Sequence, residues 1–228
     1  MRMYGGTDIG LVRPTNQDNY YIDEQARWAV VADGMGGHNG GETASTVAVS
    51  KIKAAMDKNL SLTEAIADAN KEVFKMSVEN KTLMGMGTTV VLCKFEEDKA
   101  KIVHVGDSRA YLYSGGKLEQ ITKDHSIVQQ LIDCGTITSE QAKYHPQRNL
   151  ITRAVGTERN VIADINTVKL KEDDLILICS DGLSSYVEED KIAQILEKTE
   201  EISVVDKLIE EANNTGGKDN VTVVIIKA

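Results

Sequence analysis

A chain of 228 residues with 27% charged and 41% hydrophobic side chains has the composition of a soluble globular protein, long enough for one large domain or two small ones. Its net charge of -9 excludes non-specific nucleic-acid binding, which needs basic surface. No secretory signal, repeat or low-complexity run is legible, and no apolar stretch approaches the roughly 18 residues of a membrane span. A cytoplasmic protein without membrane insertion is therefore expected.

In chain order, the first strong strand pattern is Trp28–Ala32. It runs into a glycine-rich stretch, "VVADGMGGHNGG" (Val30–Gly41), and then into helical patterns over Glu42–Met56 and Leu62–Ser77. Strand patterns return at Thr88–Lys94, Lys101–Val105 and Ala110–Tyr113; the last enters "YLYSGGKLEQI", where Gly115-Gly116 reads as a hairpin. From Asp124 to Gly156 periodicity is weak, with short helical hints at Ile127–Asp133 and Ser139–Lys143. A segment of that length reads as a functional flap. Within Asp174–Cys179, "LILIC" is apolar on both faces and belongs to a strand buried on both sides. Helical patterns follow at Glu188–Lys198 and Ile202–Asn213, the second with Ile202, Val205, Leu208, Ile209 and Ala212 on one stripe. A strand pattern over Asn220–Lys227 closes the chain.

Strands succeed one another through short turns, and helix pairs fall between strand groups. That order points to an α+β fold: two mostly antiparallel sheets stacked face to face, each covered outside by a helix pair. The expectation is a four-layer α-β-β-α sandwich, a single domain over residues 1–228, with a flap at about 124–156. Cys93 and Cys179 lie in apolar strand runs and read as core; Cys134 lies in a mixed polar stretch, and no disulfide is indicated.

The glycine stretch is not a phosphate loop. Asn39 stands where a G-x-G-x-x-G from Gly34 needs glycine, and no G-K-[ST] occurs. It is led instead by an acid. Asp33 closes "WAVVA", Asp107 closes "KIVHVG", Asp181 follows "LILICS", Asp219 precedes "NVTVVIIK", and Asp18 lies in "RPTNQDN". Taken singly, each reads as a turn or a cap. Together they are carboxylates gathered at one edge of a sandwich, an arrangement that is costly unless a cation neutralises it. Oxygen ligands without His or Cys point to Mg²⁺ or Mn²⁺, and so many carboxylates fit two ions better than one. Arg13, in "VRPTNQD", supplies a planar fork able to hold a phosphoryl group; Arg109 and Arg153 are competing candidates.

These stretches carry a family resemblance. "GLVRPTNQDN", "VVADGMGGHNGGETAS", "GMGTTVV", "VGDSRAYLY", "ITKDHS", "LITRAVG", "SDGL" and "DNVTVVI" occur in order over nearly the whole chain. The sequence resembles the metal-dependent protein serine/threonine phosphatases of the PPM (PP2C-type) family, in their compact bacterial form. The resemblance implies a β-sandwich with outer helix pairs. It implies hydrolysis of phosphoserine and phosphothreonine in proteins by a metal-activated water at a binuclear Mn/Mg centre, opposing a membrane Ser/Thr kinase. By that likeness Asp33 bridges both ions, with the Gly34 carbonyl on one, while Asp181 and Asp219 complete the other. Asp18 acts near the Gly34 ion through water, Asp107 shares a third, weaker site with Asp181, and Arg13 binds phosphate.

The chain is expected to act as a monomer on phosphorylated proteins. The alternative is a non-catalytic phosphoprotein-binding pseudophosphatase. One position departs from the family: Met35 stands where animal members carry a histidine after Asp-Gly. His38 is the candidate general acid in its place, or a loop-structural or substrate-contact residue. Gln17 stands where other members have Glu. His104, His125 and His145 read as structural, and the flap as the part that varies with substrate.

Overall fold

Alternating β-branched runs need a sheet face on either side, and in the computed structural model they find it by stacking. The structure describes residues 1–227, the side chains of His38, Asn39 and Glu201 apart. One sheet has the order β1-β11-β10-β7-β8, from Arg2–Asp8 (β1), Arg109–Ser114 (β7), Lys117–Gln120 (β8), Leu175–Cys179 (β10) and Val221–Lys227 (β11). The other has the order β2-β3-β5-β6-β9, from Asp18–Asp23 (β2), Trp28–Met35 (β3), Val90–Glu96 (β5), Lys99–Val105 (β6) and Asp164–Lys169 (β9). A two-residue strand, Gly87–Thr88 (β4), pairs with the end of β3. Every pairing among these strands is antiparallel.

Three apolar layers hold the stack. Between the sheets lie Ala29, Val31, Val91, Ile102, Ile176, Ile178, Val224 and Ile226. Outside the second sheet, Gly37–Met56 (α1) and Leu62–Glu79 (α2) bury Ala48, Ile52, Ile66 and Val73 against Trp28, Val30 and Leu92. Outside the first, Asp181–Ser184 (α5), Glu189–Lys198 (α6) and Glu201–Asn214 (α7) bury Leu183, Ile192, Leu196 and Leu208 against Leu177, Val223 and Ile225. The four layers are those expected. A capping box, Ser61 with Glu64, starts α2. No helix among the described residues is long and apolar enough to cross a membrane.

Several boundaries differ from the sequence expectation. The helix expected from Glu42 begins at Gly37, and within this added turn two poor helix formers, Gly40 and Gly41, are held by close packing. A Cβ on Gly40 would lie 3.2 Å from Met86 Cβ, and one on Gly41 would lie 2.5 Å from Gln17 Oε1. Asp33-Gly34 is no hairpin turn but part of β3. The strands β1, β2 and β9 stand beyond the expected set; β1 contains Gly5-Gly6, weak strand formers, whose missing side chains leave room for Tyr20, Ile22 and Val205. Gly115 and Gly116, at φ +56° and +81°, make the expected hairpin. The flap contains Ile127–Asp133 (α3) and Ser139–Ala142 (α4), and its ends are pinned through Ser126↔Ile151 and Thr88↔Val155 bridges.

Candidate metal centre

Antiparallel pairing brings one end of each site-bearing strand to the same edge of the sandwich. Asp33 lies near the end of β3, directly across from Asp18, the first residue of β2. Thr89 precedes β5 and Asp107 follows β6, whose Val90 and Val105 are paired. In the other sheet Cys179 pairs with both Arg109 and Val223. Asp181, just past β10, and Asp219, just before β11, therefore reach the same edge. The five acids come from both sheets and converge between them.

Like charges opposite each other in a ladder repel, and the backbone around Asp33 is accordingly well braced. Thr88 Oγ1 donates to the Asp33 carbonyl (2.8 Å), as does the Thr89 N–H (2.8 Å). The Asp33 N–H donates to Thr89 Oγ1 (3.0 Å), which contacts Ser108 Oγ at 2.7 Å beside Asp107. Gly34 is required by space: a Cβ there would collide with the Gly41 carbonyl. Asp18 is buried, with its Oδ2 taking a hydrogen bond from Ser180 Oγ (2.7 Å), and Ser180 Oγ in turn accepts from the Thr222 N–H (2.9 Å). Its Oδ1 is buried with no hydrogen-bond partner among the described residues.

The electrostatics follow from burial and crowding. Asp33 is held well above the usual carboxylate range by desolvation and then by Asp18, Asp181, Asp107 and Asp219. Burial raises Asp18 to about 7, against the opposing hydrogen bond from Ser180. Burial, then Asp219, raises Asp181, which lies within hydrogen-bonding reach of Asp33. Burial, then Asp181, raises Asp107. A partnerless carboxylate oxygen inside such a cluster is the donor set a hard divalent cation fits.

Arg13 stands at the mouth, half exposed, its Nη2 donating to Asp219 Oδ2 at 2.6 Å. Its two competitors are committed elsewhere. Arg109 forks onto Asp124 (2.8–3.1 Å) and reaches Tyr111 Oη (3.0 Å). Arg153 pairs with Asp164 (2.7 Å). The backbone of His38 lies in the first turn of α1; its side chain is outside the described residues. Gln17 braces the glycine stretch, its Nε2 donating to the Gly37 carbonyl (3.0 Å) and its carbonyl accepting from Ser45 Oγ (2.6 Å).

Sequence reasoning gave no part to Ser180, Thr88, Thr89 or Asn220. Their signal was their place beside the acids in "CSDGL", "GTTVV" and "DNVTV". Asn220 Nδ2 donates to the Ile9 (2.9 Å) and Thr15 (3.0 Å) carbonyls, closing the β1–β2 loop that carries Arg13.

A second ligating group, His104, His125 and Asp164, sits under the flap. The Gly106 N–H donates to His125 Nδ1 (3.0 Å), and His125 Nε2 lies 3.0 Å from the Arg153 Nη1 donor and 3.4 Å from Asp164 Oδ2. The Arg153 guanidinium thus already stands where an ion shared by His125 Nε2 and Asp164 would sit. The group is therefore a strap: His125 at the flap's entry stacks on buried His104 (4.7 Å), and Arg153 at its exit pairs with Asp164.

A sequence profile described as Protein phosphatase 2C matches residues 13–212. The chain belongs to that family. Serine/threonine phosphatase stp of Listeria monocytogenes is 37% identical over 235 residues, spanning 97% of this chain and 93% of the relative. The crystal structure of the Mycobacterium tuberculosis serine/threonine phosphatase PstP/Ppp superposes with a TM-score of 0.92 at 39% identity, covering 98% of this chain and 97% of that one. A structure of the PstP catalytic domain in complex with two manganese ions has a TM-score of 0.88 at 38% identity, covering 98% of this chain and 96% of that one.

Proposed function

We propose that this phosphatase hydrolyses phosphoserine and phosphothreonine esters in proteins at the Asp33 cluster. Asp33, Asp18, Asp181, Asp219 and the Gly34 carbonyl would hold two divalent ions, Mn²⁺ or Mg²⁺, and Asp107 with Asp181 a third, weaker one. The observation that carries the reading is the buried, partnerless Asp18 Oδ1 among four further carboxylates. When bound, the ions supply Lewis acidity, lowering the pKa of a water toward about 7 and offsetting phosphoryl charge.

The chain's own residues position the rest. Thr88 and Thr89 fix the Asp33 backbone, and Ser180 fixes one oxygen of Asp18 while leaving the other free. Arg13 presents a planar fork at the mouth; turned from Asp219 to a phosphoryl group, it aligns two of the oxygens for in-line displacement. No side-chain nucleophile is needed: Cys93 and Cys179 are buried in strands, and Cys134 lies on the flap. His38 is the side chain proposed to protonate the departing Ser or Thr oxygen. The presence of all five carboxylates with Arg13 supports turnover over phosphoprotein binding alone. Family likeness supports a membrane Ser/Thr kinase as the opposed enzyme, with the chain acting as a cytoplasmic monomer.

The test is phosphate release from a phosphothreonine peptide and from p-nitrophenyl phosphate, with Mn²⁺, with chelator, and in Asp33→Asn. Chelation abolishes turnover, and the substitution lowers kcat/KM at least about 100-fold, a loss of ~2.7 kcal/mol of transition-state stabilisation. Metal-independent turnover, or none on the phosphopeptide, refutes the assignment.

A further inference from the structure

The β1–β2 loop that carries Arg13 has an apolar tip that serves no core. Leu11 and Val12 are 71% and 65% exposed, directly before the arginine, and Ile9 is 38% exposed. The loop backbone is nevertheless fixed. The Leu11 N–H donates to the Gly217 carbonyl (2.7 Å), and the Gln17 N–H donates to Asn220 Oδ1 (2.8 Å). Gly10, at φ +77°, packs so closely on the Asp219 carbonyl that no side chain fits; Gly217, at φ +50°, packs likewise on Leu11. Two aliphatic side chains thus face water from an ordered backbone strapped to both sides of Asp219. Covering them costs little further loop entropy and removes apolar surface from water.

We propose that Leu11 and Val12 form a platform for an aliphatic or aromatic residue flanking the phosphorylated Ser or Thr of the substrate. The β1–β2 loop is then a specificity determinant of the reaction, a statement that rests on reading the site as a phosphopeptide hydrolase. Val12 adjoins Arg13, and successive residues of an extended peptide are about 3.3 Å apart. A phosphoryl group taken by Arg13 therefore brings the residues on one side of it over the tip.

Initial rates on a phosphothreonine peptide series, identical except for Leu, Phe, Ser or Asp beside the phosphoresidue, test the platform at saturating Mn²⁺. In the wild type, the Leu and Phe peptides exceed the Ser peptide in kcat/KM by about five- to tenfold, carried by KM. The Leu11→Ser/Val12→Ser double variant brings that ratio to within about twofold of one, while Leu11→Ile retains it. A wild-type ratio near one overturns the platform, as does a double variant that keeps the wild-type ratio. A ratio near one together with a dimer that the double variant dissociates assigns the tip to self-association and overturns it as well. Failure to release phosphate from every peptide instead refutes the reading of the site. The wild-type series needs no variant, so a double variant that fails to fold leaves the test in force.

Discussion

Asp18→Asn should make the metal-free protein more stable and the metal-loaded protein less so. In the folded chain Asp18 is 9% exposed, faces Asp33 across the ladder, and has one oxygen without a partner. Burial raises its pKa from 3.8 to about 7. An acid raised on folding binds its proton more tightly in the folded state, so stability is lost as pH rises from about 4 to about 7 and stays lost above. At pH 8 without a cation, keeping Asp18 ionised costs about 4 kcal/mol. An amide removes that charge, still accepts from Ser180 Oγ, and turns an N–H toward the remaining acids. A net gain of about 2–4 kcal/mol raises Tm in chelator by roughly 5–15 °C for a chain of this size. The wild type gains about 2.7 kcal/mol from a divalent ion at 100 times its Kd, and the variant gains less because it has lost a ligand. Thermal unfolding at pH 8, in chelator and in Mg²⁺ or Mn²⁺, reads both effects. A chelated variant no more stable than wild type, or two proteins stabilised equally by the ion, refutes the reasoning.

The brace around Asp33 and the strap under the flap give separate expectations. Thr89→Val leaves the Asp33 N–H without its acceptor and removes the partner of Ser108 Oγ; urea unfolding should show a loss of about 1–3 kcal/mol, and a neutral result would mean the strand end re-forms the bond elsewhere. Burial holds both His104 and His125 below the usual imidazole value, His125 with further lowering by His104 and Arg153 against the pull of Asp164. The unfolded chain therefore takes up these protons first, and the stability they contribute, complete above pH 6.5, drains as pH falls through it. Urea unfolding of His125→Gln should decline less steeply from pH 7.5 to 5.5 than that of the wild type; equal slopes would remove His125 from the linkage.

What could be read ahead of the structure divides along a physical line. Strands with long apolar faces, such as "LILIC" and "VTVVIIK", announce themselves because burial on both sides leaves no room for polar residues. Strands β1 and β2 do not, because Gly5-Gly6 and "DNYYID" owe their pairing to neighbours and not to their own pattern. The acids of the site were legible for a related reason. A carboxylate at the end of a buried strand is conspicuous in the text, and four of them in one chain, Asp33, Asp107, Asp181 and Asp219, ask for a common cause. The residues that hold them there were not legible. Ser180, Thr88 and Thr89 are small hydroxyl side chains that read as ordinary turn and strand residues, and their roles depend on registers between sheets that no local window contains. Helix α1 makes the same point in reverse: Gly40 and Gly41 are poor helix formers, yet they are helical because only residues without side chains can lie so close to Met86, Gln17 and Gly34. Long-range packing therefore chose the glycines at that turn, and the loop resembles a phosphate cradle only because both need a bare backbone, one for an anion and this one for the close approach of Gly34 to Gly41 beside Asp33.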